Sequence, residues 1–326
     1  MRGVIVGCGL IGKKRAESLP EEIDLVGCFD SDPATLGDFS KYFNVQSYSN
    51  LEDLFLLENL SFIIIATQHE SLGKIARLAI SKGISVFVEK PGAISFDELK
   101  SVANLSQSKN TLVHVGYNHR FHPAIIKAQE LVSIDSIGPI MFIRGRYGHG
   151  GRIGYETEWR ADKSKSGGGE LIDQGAHLIE IVQHFLGDVA VDYAATPTYF
   201  WNMEVEDNVF ISLINDFGRI AFLQASCTEW KNMFSLEIYG KTGKLDISGL
   251  GRSYGQESIT LHQMTPEMGP PNSETWTYAE PDLSWQNELN QFMDDLKFGT
   301  RKSDNLESSL KVLRIIQDIY DRTGRC

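Results

Sequence analysis

The chain has 326 residues, 42% hydrophobic and 23% charged, an ordinary globular composition with length enough for two cores. Its 31 basic and 43 acidic residues give a formal net charge of -12, a field that repels polyphosphates and anionic membranes, so nucleic-acid or membrane-surface binding is not expected. No apolar run reaches membrane-spanning length, Met1 to Val6 carries no charged leader, and Cys8, Cys28, Cys227 and Cys326 lack Cys-x-x-Cys spacing, so the expectation is a cytoplasmic protein without a disulfide framework or zinc site.

Val4-Ile5-Val6 reads as a strand. Gly7-Cys8-Gly9-Leu10-Ile11-Gly12 follows in G-x-G-x-x-G spacing, then a helix over 13–19 and a second strand over 25–29 ending at Asp30. In that context Gly7 permits a tight turn, Gly9 lets backbone approach a pyrophosphate, Gly12 lets helix pack on strand, and the helix N-terminus offers N–H groups to the anion. Asp30 is placed to accept hydrogen bonds from an adenosine ribose. Ser31-Asp32 follows it in place of an arginine, and two carboxylates repel a 2′-phosphate, so NAD is expected rather than NADP. The basic triplet Lys13, Lys14 and Arg15, with Lys41, either reaches such a phosphate or forms a solvated helix face.

Further strands over 62–66, 84–88 and 111–115 alternate with helices over 72–81 and 96–105, the pattern of a doubly wound parallel sheet. The strand at 84–88 breaks abruptly into Glu89-Lys90-Pro91. A charged pair is thereby set at the carboxyl edge where such sheets bind ligands, and Pro91, which has no N–H, stops the ladder. His69, after Thr67-Gln68 at another strand end, reads equally as a loop histidine and stays outside the catalytic set.

After Asn118-His119-Arg120-Phe121-His122-Pro123 the pattern changes. A helix over 123–132 and a strand over 140–147 lead into an irregular stretch, 148–169. Arg146, Tyr147, His149, Arg152, Tyr155, Trp159 and Arg160 in this region are candidates for gripping a ligand, because guanidinium forks suit carboxylate or phosphate and aromatic faces suit sugar rings. For any single one of them, a solvated loop whose aromatics anchor it to the core is the better reading.

The helix after Gly167-Gly168-Gly169 carries Leu171, Leu178, Val182 and Phe185 on one stripe, with Asp173 and His177, at i and i+4, together on another face. A histidine there can take a proton from an alcohol, and a nearby carboxylate can orient it. The same two residues, with Glu180 and His184, also read as a solvated polar face; a metal site lacks both H-E-x-x-H and a third ligand. The glycines are expected to bring backbone close to whatever these side chains address.

Strands over 193–201, 209–215, 219–228, 233–239 and 244–248 imply a mostly antiparallel sheet, and the near-continuous apolar runs at 209–214 and 220–223 imply that both faces are covered, one by another subunit. Residues 264–272 read as a loop. Helices over 283–298 and 306–320 close the chain, the second with Asp304 and Glu307 as a capping box.

Taken together, the glycine fingerprint, Glu89-Lys90-Pro91, Asn118-His119-Arg120-Phe121 and Gly-Gly-Gly-Glu-Leu-Ile-Asp-Gln-Gly-Ala-His resemble the Gfo/Idh/MocA family of nicotinamide-dependent oxidoreductases over essentially the full length. The resemblance implies an α/β fold: a Rossmann domain over 1–118, then an α+β domain over 119–326 with a large, mostly antiparallel sheet through which homodimers or homotetramers form. It implies hydride transfer between NAD(P) and a secondary alcohol or ketone of a sugar-like substrate (sugar, cyclitol, sugar acid or sugar nucleotide). Lys90 would hold and polarise the hydroxyl, His177 would act as general acid/base, and Asp173 would contact both substrate and histidine. Cofactor contacts fall on Gly7, Gly9, Leu10, Ile11, Gly12, Asp30, Thr67, Glu89 and Lys90, and substrate contacts on Lys90, Asn118, Arg120, Arg146, Tyr147, Trp159, Arg160, Asp173 and His177. Thr67-Gln68-His69 departs from the Thr-Pro-Asn of many relatives. Two other readings stay open: an enzyme that uses NAD transiently for elimination or hydrolysis of a glycoside, and a non-catalytic NAD(P)-binding regulator.

Overall fold

The structure, a computed structural model, describes residues 1–303 and 305–325; Cys326 and the capping role expected of Asp304 lie outside them. The chain divides into two units, one made of Met1–Tyr117, Ser164–Gly167 and Trp285–Leu310, the other of Asn118–Lys163, Gly168–Ser284 and Lys311–Cys326.

In the first unit β1 (Arg2–Val6), β2 (Asp24–Phe29), β3 (Leu60–Ile65), β4 (Ser85–Glu89) and β5 (Val113–Gly116) form a five-stranded sheet in the order β2-β1-β3-β4-β5. Every pairing is parallel. Because β1 is flanked by strands whose connections leave in opposite directions, its carboxyl end lies at the switch point where open α/β sheets bind ligands. Val4 to Val6, Phe62 to Ile65 and Val86 to Val88 are buried, as strands covered on both faces must be.

Helices α1 (Leu10–Glu17), α2 (Pro33–Phe43), α3 (Leu51–Leu54), α4 (His69–Ser81) and α5 (Phe96–Lys109) complete this unit's alternation. Three local signals shift the boundaries from those expected. α1 begins inside the glycine loop. α4 begins at His69, whose ring is buried with Nδ1 2.7 Å from the Ser166 carbonyl. α2 is an element the alternation missed: Asp32 caps it by accepting from Thr35 N at 2.9 Å, and Pro33 occupies its first turn.

In the second unit α6 (Pro123–Ser133) precedes an eight-stranded sheet of β6 (Ile140–Gly148), β7 (Ala190–Ala195), β8 (Asn208–Ile214), β9 (Ile220–Ser226), β10 (Met233–Gly240), β11 (Gly243–Ser248), β12 (Glu257–Gln263) and β13 (Asn272–Tyr278). The order is β13-β12-β11-β10-β6-β9-β8-β7, antiparallel except for the parallel β6/β9 pair. β7 stops at Ala195, so the strand expected to reach Trp201 ends early. There the Asp207 carboxylate accepts from the N–H groups of Tyr199, Phe200 and Trp201, holding that backbone away from a ladder. One face, carrying Ile143, Gly145, Tyr147, Leu223, Leu236 and Phe234, is buried; the other carries Arg144, Arg146, Phe210, Phe222 and Gln224.

The irregular stretch holds short 3-10 turns, Tyr155–Thr157 and Trp159–Ala161, and α7 (Lys163–Ser166). A π-helical turn, Leu171–Gly175, then runs into α8 (Ala176–Leu186). At the end of the chain α9 (Ser284–Phe298) stops at Gly299, φ +65°, and is followed by α10 (Leu306–Thr323). Among the described residues no helix is long and apolar enough to cross a membrane.

Candidate active site

Gly7 has φ +94°, and a Cβ there would meet the Ala66 carbonyl oxygen at 2.4 Å, so glycine is required on both counts. A Cβ at Gly9 would meet nothing within 4 Å, so space lies open over the loop just where α1 begins without a side-chain cap. Leu10, next to it, is exposed. The Asp30 carboxylate accepts from Cys8 N at 2.7 Å and from Asp32 N at 2.9 Å, which fixes it over the glycine loop at the end of β2. Uncapped N–H groups, an open glycine and an anchored carboxylate fit a dinucleotide: the first two receive a pyrophosphate, the third a ribose. Thr67, half-buried, follows the end of β3.

Arg15 departs from the reading of a basic helix face. It is 0% exposed, its guanidinium lies 4.4 Å from the ring centres of both Phe87 and Trp285, and it pairs with Glu89 at 2.5 Å and Glu288 at 2.8 Å. It is therefore held away from any 2′-phosphate. The same pairing explains Glu89, placed by sequence among the cofactor contacts: its carboxylate is engaged with Arg15, and burial pushes it above its ordinary value against that partner's pull. His114 completes the network, Nε2 3.0 Å from Glu288 and Nδ1 2.5 Å from the Ser303 carbonyl. Lys90, next in chain to Glu89, is half-buried at the end of β4, and its bond to Pro91 is cis.

In the second unit the element bearing Asp173 and His177 is enclosed. Asp173, His177 and Glu180 are all buried, so the reading of a solvated polar face does not hold for them, while His184, one turn further on, is exposed as that reading expects; along the expected apolar stripe Leu171, Leu178 and Val182 are buried and Phe185 only partly so. The glycines before it serve its packing on the chain itself: a Cβ at Gly169 would meet the Glu206 carbonyl oxygen at 2.0 Å. Glu206 Oε1 accepts from Gly169 N and Leu171 N at 3.0 Å and from the Tyr320 hydroxyl at 2.8 Å, and burial raises its carboxyl above the ordinary value. This carboxylate takes up N–H groups at the start of the element, where no side chain within it does so.

Around this element the unit gathers several predicted residues. Arg160 Nε donates to Asp173 Oδ2 at 3.0 Å, and its guanidinium lies 4.6 Å from the Trp159 ring centre. Tyr147 is buried with its ring edge-on to that of His177, and burial raises its hydroxyl well above the ordinary value. Asn118 donates to Ser284 Oγ at 2.9 Å, and Arg120 pairs with Glu180. Arg146 is not brought here: it stands on the opposite face of the sheet from Tyr147, exposed and paired with Glu229 at 3.0 Å. Arg152 is likewise at the surface, paired with Glu158.

Sequence reasoning missed Glu170, His119 and Tyr254. Glu170 is buried, accepts from the Tyr155 hydroxyl at 3.2 Å and lies 3.5 Å from His149 Nε2. Burial works against a charge on His149, yet Glu170 and Asp173 raise it above its ordinary value. The Tyr254 ring lies 4.9 Å from the Tyr147 ring, centre to centre. Glu170 stands directly between the glycines and the apolar stripe, so its position was a usable signal.

The comparisons with known proteins give the family. Residues 1–117 match the oxidoreductase family GFO/IDH/MocA with its NAD-binding Rossmann fold, and residues 125–246 match a GFO/IDH/MocA C-terminal domain. Glucose-6-phosphate 3-dehydrogenase of Bacillus subtilis is 24% identical over 220 residues, 66% of this chain and 62% of that protein. The 2,7-anhydro-N-acetylneuraminate hydratase of Mediterraneibacter gnavus is 22% identical over 276 residues, 81% of this chain and 72% of that protein. Levoglucosan dehydrogenase, solved with NADH and levoglucosan, shares the fold with a TM-score of 0.89 at 19% identity, over 100% of this chain and 97% of that one. The chain belongs to the GFO/IDH/MocA oxidoreductase family, with an NAD-binding Rossmann fold at its amino-terminal end.

Proposed function

We propose that the protein is a dehydrogenase that transfers a hydride between NAD and a secondary alcohol of a sugar-like substrate. The observation that carries the reading is the buried His177 with Asp173 four residues before it, in a family whose other domain binds NAD. A histidine so placed takes the hydroxyl proton, and Lys90 stabilises the negative charge that develops on oxygen. Asp173, paired with Arg160, carries a balanced charge, which leaves the acid/base work to the histidine. NAD, when bound, supplies the hydride acceptor. The anchored Asp30 and the sequestered Arg15 support NAD over NADP. Relatives acting on glucose 6-phosphate and levoglucosan support the sugar class.

The balanced Arg160 and the surface position of Arg146 remove most of the reason to expect an anionic group on the substrate. The relative named as a hydratase keeps a second reading in play, a reaction with no net change in the cofactor. The outer sheet face, with Phe210, Phe222 and Tyr193 exposed around a concavity of about 520 Å³, supports self-association through that sheet.

Thermal unfolding with saturating NADH or NADPH tests the cofactor. A ligand at about one hundred times its Kd stabilises by roughly 2.7 kcal/mol. A larger shift with NADH is expected, followed by NADH formation in a screen of neutral and phosphorylated sugars that Lys90→Ala abolishes. Product without net NADH would favour the second reading, and no shift with either cofactor would overturn both.

A further inference from the structure

His119 and His177 lie face to face, ring centres 3.7 Å apart and planes 24° from parallel, both buried. We propose that His119 is a positioning residue that fixes the ring plane of His177; the claim rests on the reading of His177 as the general acid/base. An imidazole has a broad, roughly two-fold second torsion, so burial alone does not define the direction in which its nitrogens point. A flat neighbour at van der Waals distance does define it, because turning His177 about that torsion drives its edge into the other ring.

His119 is itself immobilised. It stands on the 3-10 turn Asn118–Phe121, where its Nδ1 is 3.1 Å from Asn118 Oδ1, and the Asn118 amide nitrogen donates to Ser284 Oγ. The Tyr147 ring meets it edge-on at 5.0 Å and the His122 ring at 5.7 Å. Phe234 adds a third ring, edge-on at 6.3 Å, so the His119 ring is held at one edge by a hydrogen bond and flanked by three others, with one face stacked on His177. These contacts come from the 3-10 turn, from β6 and β10 and from the residue before α6, so the flat face presented to His177 is held from elements other than its own.

The test uses the full-length protein with isotope-labelled histidine, comparing wild type with His119→Phe, which keeps a flat face, and His119→Leu, which keeps bulk without one. His177 ring-proton resonances are assigned by their loss in His177→Asn. They are expected to stay ring-current shifted and sharp in the Phe variant, and to move and broaden in the Leu variant. In turnover with the fastest sugar from the screen, kcat should fall by about a hundredfold in the Leu variant, the scale of a small misplacement, and recover in the Phe variant, with KM and NADH affinity unchanged. Unaltered His177 resonances in the Leu variant, or a Phe variant as slow as Leu, would overturn the proposal. Full turnover by His177→Asn would instead sink the acid/base reading and leave the resonance comparison to decide the positioning claim. A Leu variant that fails to fold is replaced by His119→Gln, which keeps a polar group near Asn118 without the ring.

Discussion

Arg15 is a charge without solvent, compensated by two carboxylates and sandwiched between two aromatic rings. Removing one member of such a set costs more than the set is worth, because the partners stay buried and uncompensated. Glu288 faces both Arg15 and His114, which hold its carboxyl below the ordinary value in spite of burial. Arg15→Met should therefore destabilise by about 3–5 kcal/mol in urea unfolding. A second change, Glu288→Leu, should restore part of that loss; no recovery would show that Glu89 alone carries the pairing. None of this was legible in Lys13-Lys14-Arg15. Helical periodicity reports which residues share a face, and Arg15 meets partners far away in the chain. Arg146 is the opposite case. Consecutive residues of a strand face opposite sides, so alternation alone already separated it from Tyr147.

At the scale of the element, the turn that carries Asp173 depends on Glu206, a residue of the segment before β8. Glu206→Leu would leave two backbone N–H groups and the Tyr320 hydroxyl without this acceptor, at roughly 1–3 kcal/mol for each group left unsatisfied. The expected result is a stability loss of at least about 2 kcal/mol in guanidinium unfolding. An unchanged midpoint would mean that the turn is held by its packing alone. A second tie joins β12 to the start of α6: Glu257 accepts from Ala124 N at 2.9 Å and lies 3.0 Å from His122 Nδ1. Burial opposes its charge, but these contacts and the Gly251 N–H hold its carboxyl below the ordinary value of 4.5. The folded carboxyl therefore gives up its proton more readily than the unfolded one. Its stabilisation is complete above 4.5 and is lost as pH falls through the lower folded value. Urea midpoints across that range should fall less steeply in Glu257→Gln than in wild type; parallel curves would refute the assignment. β12 itself went unread in the sequence, as did β13. Glu257–Gln263 alternates with few large apolar residues, and Asn272–Tyr278 is a polar strand at the sheet edge, where exposed ladders are kept hydrophilic. The strands β3 and β4, with unbroken apolar and buried runs over 62–65 and 86–88, were plain by contrast.

For the whole molecule, the outer face of the large sheet is where chemistry and solvent disagree. Phe222 is 56% exposed and Tyr193 61%, beside Phe210, in a chain whose net charge of -12 would otherwise keep copies apart. A two-fold interface sets a patch against itself, so a charge placed in it meets its own image. In the register Phe222 lies opposite Arg144, and Arg146 is two residues further along the same strand. Arg144 and Arg146 are paired with Glu237 and Glu229, so Phe222→Lys would replace an apolar ring by an added positive charge and set it against its own copy across the interface. Wild type should sediment as a dimer or tetramer, and Phe222→Lys should sediment near the chain mass of 36.5 kDa with its NADH-induced thermal shift retained. A wild-type protein already monomeric at micromolar concentration would remove the argument, since the exposed rings would then lack the partner proposed for them. A variant that stays associated would move the interface to another surface.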